Sequence, residues 1–268
     1  MHTQTFLEFH RPTITVRPHL PCYRKELPMS QTVSISGQTA VITGGSRGIG
    51  AAIAFKLAEM GARTIILGRN DEALKSVMER ITAQQGSCVA KVCDVESETD
   101  VERVAREIQS QFGAPEILVN CAGVGLNGKK LWDCTAAEWE RVINTNLRGV
   151  FFAIRAFAPA MMEAHSGHII NISSLAGKNP LPGGAIYAAS KWGLNGLSYS
   201  LAEELRGHNV RVSVVCPGSV NTDFSSHEGR DLSKMLTPAD VAHAVAMLVT
   251  QQPQSFISEI TLRPTQKP

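Results

Sequence analysis

The sequence predicts an α/β protein: a doubly wound, seven-stranded parallel sheet with helices on both faces, in a single domain. Three observations carry that expectation. Seven short apolar runs alternate with long stretches, most of them of helical period. Glycines, capping residues and prolines bound these segments, and a glycine-rich turn closes the first run and opens the first helix. Apolar runs joined by long helical crossovers pair in parallel. Right-handed crossovers then cover both faces and bring ligands to the carboxyl ends of the strands.

The first run is 39–43, followed by helical spacing over 49–60 that stops at Gly61. The second, 64–67, precedes a helix over 71–85 closed by Gly86. After the third, 88–93, Ser97 with Asp100 three positions on forms a variant capping box for a helix ending at Gly113. The fourth is 117–120, and Thr135 with Glu138 makes a full capping box for one long helix reaching Ala164. The fifth run, 168–172, is followed by a helix over 185–206 and the sixth run, 211–216. Thr237-Pro238 starts the last helix with proline at its first position, and 256–262 is the seventh run.

With 268 residues, 43% apolar and 19% charged, the chain can bury a sizeable core. A net charge of +2 offers no broad basic surface to nucleic acid or an anionic membrane, and no apolar stretch is long enough to span one. The six cysteines (22, 88, 93, 121, 134, 216) show neither CxxC nor metal-site spacing. Neither a metal nor a disulfide scaffold is expected, and a cytoplasmic location is. Residues 1–36 differ in kind, with prolines 12, 18, 21 and 28 and no burial pattern. Arg11, Arg17, Arg24 and Lys25 suit an organelle-targeting peptide, but the prolines oppose its helix. The other reading is a disordered extension before a core from residue 37, with Met29 an alternative start.

Thr43-Gly44-Gly45-Ser46-Arg47-Gly48-Ile49-Gly50 lies between the first strand and the first helix. Glycines 44, 48 and 50 let backbone approach a pyrophosphate, and the helix N-terminus offers N–H groups and positive potential. A glycine cluster alone marks only a tight turn; its strand–turn–helix setting points to a dinucleotide. The spacing is GxxxGxG rather than GxGxxG. Where an acid at the end of the second strand would favour NAD, this chain has Gly68 and Arg69, with Arg47 in the glycine loop. Two guanidiniums suit a 2′-phosphate, so NADP is expected over NAD; the alternative is that Arg69 is a solvated turn residue.

Tyr187 and Lys191 stand one helical turn apart, on one face. A free phenol has a pKa of about 10 and is a poor base near neutrality; a neighbouring ammonium and a nicotinamide cation favour the phenolate. Ser174, after the fifth run, can hydrogen-bond a substrate oxygen as charge develops there. Each residue alone has an ordinary structural explanation: an exposed helix face for the pair, a strand-end cap for Ser174, a polar helix residue for Asn146.

These motifs, in this order, resemble the short-chain dehydrogenase/reductase family over residues 37–262: the glycine loop, Asp94-Val95, Asn120-Cys121-Ala122-Gly123, Asn146, Ser174, Tyr187-x-x-x-Lys191 and Pro217-Gly218. The resemblance implies a Rossmann-type domain and NAD(P)-dependent hydride transfer between a carbonyl and an alcohol, with Tyr187 as general acid–base. It places Asp94 and Val95 at the adenine and Thr222 at the nicotinamide amide. Ser46, Ile49, Ala122, Gly123, Pro217, Gly218 and Val220 would line the cofactor. Asn120 would brace the central sheet, Lys191 would hold the ribose, and Asn146 would hold a proton-relaying water.

A small-molecule carbonyl or alcohol is the expected partner, bound near Leu181, Pro182, Gly183 and Gly125 under a lid over 219–236. The apolar stripe Val142, Leu147, Phe151, Phe152, Ile154 and Phe157 exceeds what one sheet face needs, and family members commonly pair through that helix into dimers and tetramers. The bacterial 3-oxoacyl-carrier-protein reductases are the runner-up. Against them stand the absence of cations at 163–165 and 207–209, expected to flank the pocket mouth, and an ending without their glycine-rich turn. A non-catalytic nucleotide sensor on the same fold is the reading from another class, though such proteins usually lose the tyrosine or the lysine.

Overall fold

The computed structural model describes residues 33–224 and 231–267. The proposed extension up to residue 32, with Cys22 and Met29, and lid residues 225–230 lie outside the described residues. The described strands are β1 (Thr39–Thr43), β2 (Arg63–Gly68), β3 (Ser87–Val92), β4 (Ile117–Asn120), β5 (Gly167–Ile172), β6 (Val210–Pro217) and β7 (Glu259–Leu262). They form one sheet in the order β3-β2-β1-β4-β5-β6-β7, parallel throughout. The helices are α1 (Gly48–Glu59), α2 (Asp71–Ala83), α3 (Glu98–Phe112), α4 (Ala136–Ile143), α5 (Gly149–Glu163), α6 (Ala185–Arg206) and α7 (Pro238–Val249). No described helix is long and apolar enough to cross a membrane.

Successive strand residues point to opposite faces, and each face has its own core. Ile42, Ile66, Val119 and Ile170 pack with Ile53 and Leu57 of α1, Leu74 and Ile81 of α2, and Val245 and Leu248 of α7. Their neighbours Val41, Ile65, Leu118 and Ile169 pack with Val104 and Ile108 of α3, Phe157 and Met161 of α5, and Leu194 and Leu205 of α6. Burying each such side chain is worth about 1.5–3 kcal/mol. The sheet's order reverses between β1 and β4, so a crevice opens there at the carboxyl ends.

The expected long helix is α4 and α5 joined through a π-helical turn, Asn144–Arg148. Thr145 Oγ1 sits 2.8 Å from the Arg141 carbonyl oxygen, a back-bond of the kind that disturbs a regular ladder. The apolar stripe is mostly consumed inside the chain: Val142, Phe152, Ile154 and Phe157 are buried, Leu147 packs against the same core, and Phe151 stays 44% exposed.

β7 begins at Glu259, three residues later than expected. Before it, Ile257 N–H donates to Gln251 Oε1 (2.7 Å) and Ile257 O accepts from Ser213 Oγ (2.6 Å), so side chains take the bonds a ladder would use. The Ser97 box is only half formed. Ser97 accepts from Asp100 N–H at 3.3 Å, but the Asp100 carboxylate turns to Asp94 N–H at 2.7 Å.

The ordered core also starts before residue 37. Ile35 is 1% exposed within the α1/α7 core, and Val33 N–H donates to Thr250 O. The alternation Val33-Ser34-Ile35-Ser36 was the sequence signal for this. Ile35→Ala is expected to cost about 2–4 kcal/mol in a denaturant titration, the range for emptying an enclosed isoleucine site. A loss under about 0.5 kcal/mol, the surface range, would put Ile35 outside the core.

Candidate active site

A cleft of about 860 Å³ opens along the carboxyl ends of the strands, from Gly68 and Asp94 at one end to Tyr187 and Phe224 at the other. Its floor at β1 is the glycine loop. Gly44 has φ +70° and packs so tightly on the loop after β4 that a Cβ would lie 2.8 Å from Ala122 Cα. A Cβ on Gly50 would collide with the Gly44 carbonyl oxygen. Thr43 Oγ1 ties the two loops by accepting from Cys121 N–H (3.0 Å) and Ala122 N–H (3.1 Å). α1 starts at Gly48 behind extended Arg47 with no side-chain cap, so its first-turn N–H groups are left to solvent or an anion. This cradle fits a dinucleotide pyrophosphate.

Around the end of β2, a Cβ on Gly68 would meet only Leu74 and Ser46, at 3.5 Å. Arg47 and Arg69 are exposed there, and Arg69 makes a loose 3.9 Å pair with Glu96. Asp94 is fixed through Asp100, and its Oδ1 accepts from Glu96 N–H at 3.1 Å. Val95 is buried against Gly149. On the opposite side of the cleft Pro217 ends β6. Val220 bridges to Leu236, and Thr222 Cγ2 would sit 3.5 Å from a Cβ on Gly48. Gly123 and Gly218 line the same cleft, with Ser46, Ile49 and Ala122.

α6 carries Tyr187 and Lys191 into the other end. Lys191 is 5% exposed; its Nζ donates to Ile172 O at 2.9 Å and stands 5.8 Å from the Tyr187 ring centroid. Burial pulls its pKa down to about 8, against the opposing influence of Cys121 and Cys216. Burial pushes the Tyr187 phenol up to about 12, with a Ser174 hydrogen bond working the other way. The protein's own groups therefore do not lower the tyrosine pKa; desolvation outweighs them. Ser174 also caps the turn Leu175–Gly177, accepting from Ala176 N–H at 3.1 Å.

Asn146, fully buried in the π turn, grips the loop after β4. Its Oδ1 accepts from Val124 N–H (2.8 Å), and its Nδ2 donates to Val124 O (2.9 Å) and Ser190 Oγ (3.1 Å). Ser190 Oγ in turn donates to Tyr187 O at 2.7 Å. Asn146 makes no direct bond to Lys191; a Cβ on Gly123 would be 3.3 Å from Asn146 Oδ1 and 3.9 Å from Lys191 Nζ. Asn120 Nδ2 donates to Asn171 Oδ1 (2.8 Å), and Asn171 Nδ2 to Ser198 Oγ (2.8 Å), stitching β4 and β5 to α6.

Two features went unread in the sequence, and a third was misplaced. Phe224 stands with its ring 5.9 Å from that of Tyr187; an aromatic two residues after Thr222 was the signal available. Lys178 pairs with Glu259 at 2.7 Å, and Tyr199 donates to the same carboxylate, tying the turn after Ser174 to β7 and α6. No local pattern marks that pairing. Third, residues 163–165 and 207–209 precede β5 and β6, with His165 and His208 stacked at 6.2 Å. They lie at the amino ends of those strands, about 20 Å of strand away from the cleft. They do not flank its mouth, and the argument against a carrier protein drawn from them falls.

The chain matches the model of the short chain dehydrogenase family over residues 38–233. An uncharacterized oxidoreductase of Staphylococcus aureus (strain MW2) is 34% identical over 230 residues, covering 86% of this chain and 98% of the relative. A crystal structure of a metagenomic short-chain oxidoreductase in complex with NADP is 49% identical, with TM-score 0.78 over 87% of this chain and 100% of that one. An alcohol dehydrogenase from the archaeon Thermococcus sibiricus, complexed with 5-hydroxy-NADP, is 29% identical, with TM-score 0.81 over 87% and 99%. This chain belongs to the short-chain dehydrogenase/reductase family and is an NAD(P)-dependent oxidoreductase acting between CH–OH and C=O groups.

Because Lys191 has its folded pKa below the ordinary 10.5, its charge costs stability fully below pH 8, and the cost fades as pH rises from about 8 to 10.5. Lys191→Met is therefore expected to raise the stability of the nucleotide-free protein by about 1–3 kcal/mol near neutrality. The gain should shrink across that window. Thermal melts at several pH values check this; a destabilised variant near neutrality would show that burial of the charge is not the dominant cost.

Proposed function

We propose that this protein is an NADP(H)-dependent carbonyl reductase or alcohol dehydrogenase of small molecules, with Tyr187 as general acid–base. The observation that carries it is the enclosure of Tyr187 and Lys191, side by side, at the far end of the cleft whose floor is the glycine loop. A bound nicotinamide supplies or accepts the hydride. Tyr187 gives a proton to the carbonyl oxygen in reduction and takes it from the alcohol in oxidation. Ser174 hydrogen-bonds that oxygen as its charge grows. Lys191 holds the ribose hydroxyls and, as a cation, favours the phenolate; Asn146 fixes the backbone beside Lys191 and provides a seat for a relaying water.

Ser46, Arg47 and Arg69 around acid-free Gly68 support a 2′-phosphate, as does the NADP bound in the 49% identical relative. Asp94 and Val95 flank the adenine end; Ala122, Gly123, Pro217, Gly218, Val220 and Thr222 complete the cofactor wall, and Asn120, expected there, is buried behind it against Asn171. Exposed Trp139, Phe151, Trp192 and Tyr199 on α4–α6 support a homo-oligomer. The free cysteines 88, 93, 121, 134 and 216 suit a cytoplasmic enzyme.

Tyr187→Phe should lower turnover by about a hundredfold or more while leaving NADPH binding intact, the scale for losing a positioned acid. Near-normal turnover would remove Tyr187 from the proton path, and absence of any carbonyl-dependent NADPH consumption in the native protein would favour a nucleotide sensor.

Gly68→Asp with Arg69→Ala should shift the NADPH-to-NADH preference at least about tenfold, since a charge-assisted contact is worth about 1.5–3 kcal/mol. An unchanged ratio in steady-state kinetics would sink the phosphate assignment.

A further inference from the structure

We propose that the Tyr187 end of the cleft selects a neutral ketone or secondary alcohol with a flat apolar substituent, and that Phe224 is the side chain that selects it. This rests on the oxidoreductase reading above. The walls at this end are Val124, Leu181, Pro182 and Phe224, with Gly123 beside them; Gly125, expected to line the pocket, lies instead against the Phe224 ring. Phe224 is 42% exposed, and its ring is tilted 59° to that of Tyr187. Its edge rests where a Cβ on Gly125 would lie 3.0 Å from Cε1. A half-exposed ring on a glycine shelf fills no core. Its free face and the neighbouring aliphatic wall can cover an apolar group attached to the reacting carbon.

The charges point the same way. Among the described residues, the charged side chains lining the cleft are Arg47, Arg69, Asp94, Glu96, Lys191 and Asp223. Arg69 follows β2, three strand spacings, about 14 Å, from β5. Arg47 follows Ser46, which sits beside Gly68. Lys191 is enclosed and bonded to Ile172 O. Asp223, next to Phe224, is an acid and repels anions. Of the lysines on the loops bounding this end, Lys129 lies 2.8 and 2.7 Å from the two Glu138 oxygens and Lys178 lies 2.7 Å from Glu259, while exposed Lys130 stands over the Trp132 ring at 5.4 Å and is not part of the cleft lining. A carboxylate or phosphate carried in by the substrate would shed water and find no described cation as partner.

The test compares kcat/KM, with NADPH, for acetophenone, para-acetylbenzamide and para-acetylbenzoate, the amide controlling for the size of the carboxylate. The neutral pair should exceed the carboxylate at least about tenfold, the scale of a buried charge left unpaired. In Phe224→Ala the ratio of acetophenone to acetone should fall about fivefold to tenfold, matching loss of an aromatic contact. Equal or better use of para-acetylbenzoate overturns the proposal, as does an unchanged aryl-to-alkyl ratio in Phe224→Ala. Failure to reduce either neutral aryl ketone also overturns it. In each case the oxidoreductase reading stands if another carbonyl is reduced and Tyr187→Phe abolishes that reduction. That reading fails separately if no carbonyl or alcohol supports Tyr187-dependent turnover.

Discussion

Lys191 carries an ammonium into a nearly enclosed end of the cleft, held by the Ile172 carbonyl at the end of β5. Much of the surrounding structure serves to keep it there. Gly177 presses on the same helix so closely that a Cβ would lie 2.8 Å from Lys191 O, and Asn195 donates to Gly177 O at 2.9 Å. The turn bearing Ser174 is thereby locked to α6. The asparagine chain from Asn120 through Asn171 to Ser198 locks α6 to the centre of the sheet. Ser174, Tyr187 and Lys191 are thereby held on one connected framework, which suits the proposed pairing of a positioned acid with a hydrogen-bond donor.

Burial also sets the electrostatics. It raises the phenol to about 12 and lowers the ammonium to about 8, so the site disfavours charge on both groups. Such a site responds strongly to any charge brought into the cleft, because little water screens it. A positively charged nicotinamide is the group that would shift Tyr187 toward its phenolate, in line with a proton transfer coupled to the redox state of the cofactor. The sheet adds geometry to this. Parallel strands put every loop that matters at one end, and the reversal between β1 and β4 leaves room there for the nucleotide.

How much of this could be read from the residues depended on range. Period and capping are local, so all seven strands, the Thr135 box and the proline start of α7 were legible, while the Thr237 box with Asp240 was not read. The π turn was not, because it arises from Thr145 back-bonding and Asn146 reaching a loop twenty-two residues away. Asp100 was read as a cap for Ser97, yet it satisfies Asp94, a competition between two nearby N–H groups that the pattern does not rank. The stretches at 163–165 and 207–209 were placed beside the pocket, although strand direction alone assigns them to the opposite end. The chemical motifs were legible as a set because loops after strands converge. Phe224 was not, since its role comes from the glycine shelf beneath it.

Charge brought into the cleft should control the Tyr187 proton. NMR of isotope-labelled tyrosine, with Tyr187→Phe to assign the signal, measures its pKa with and without NADP⁺. The expected result is a value near 12 in the protein alone and a fall of at least about one unit with oxidised nucleotide bound, the scale for an opposite charge a few ångströms away. A pKa that stays put when NADP⁺ binds would contradict it.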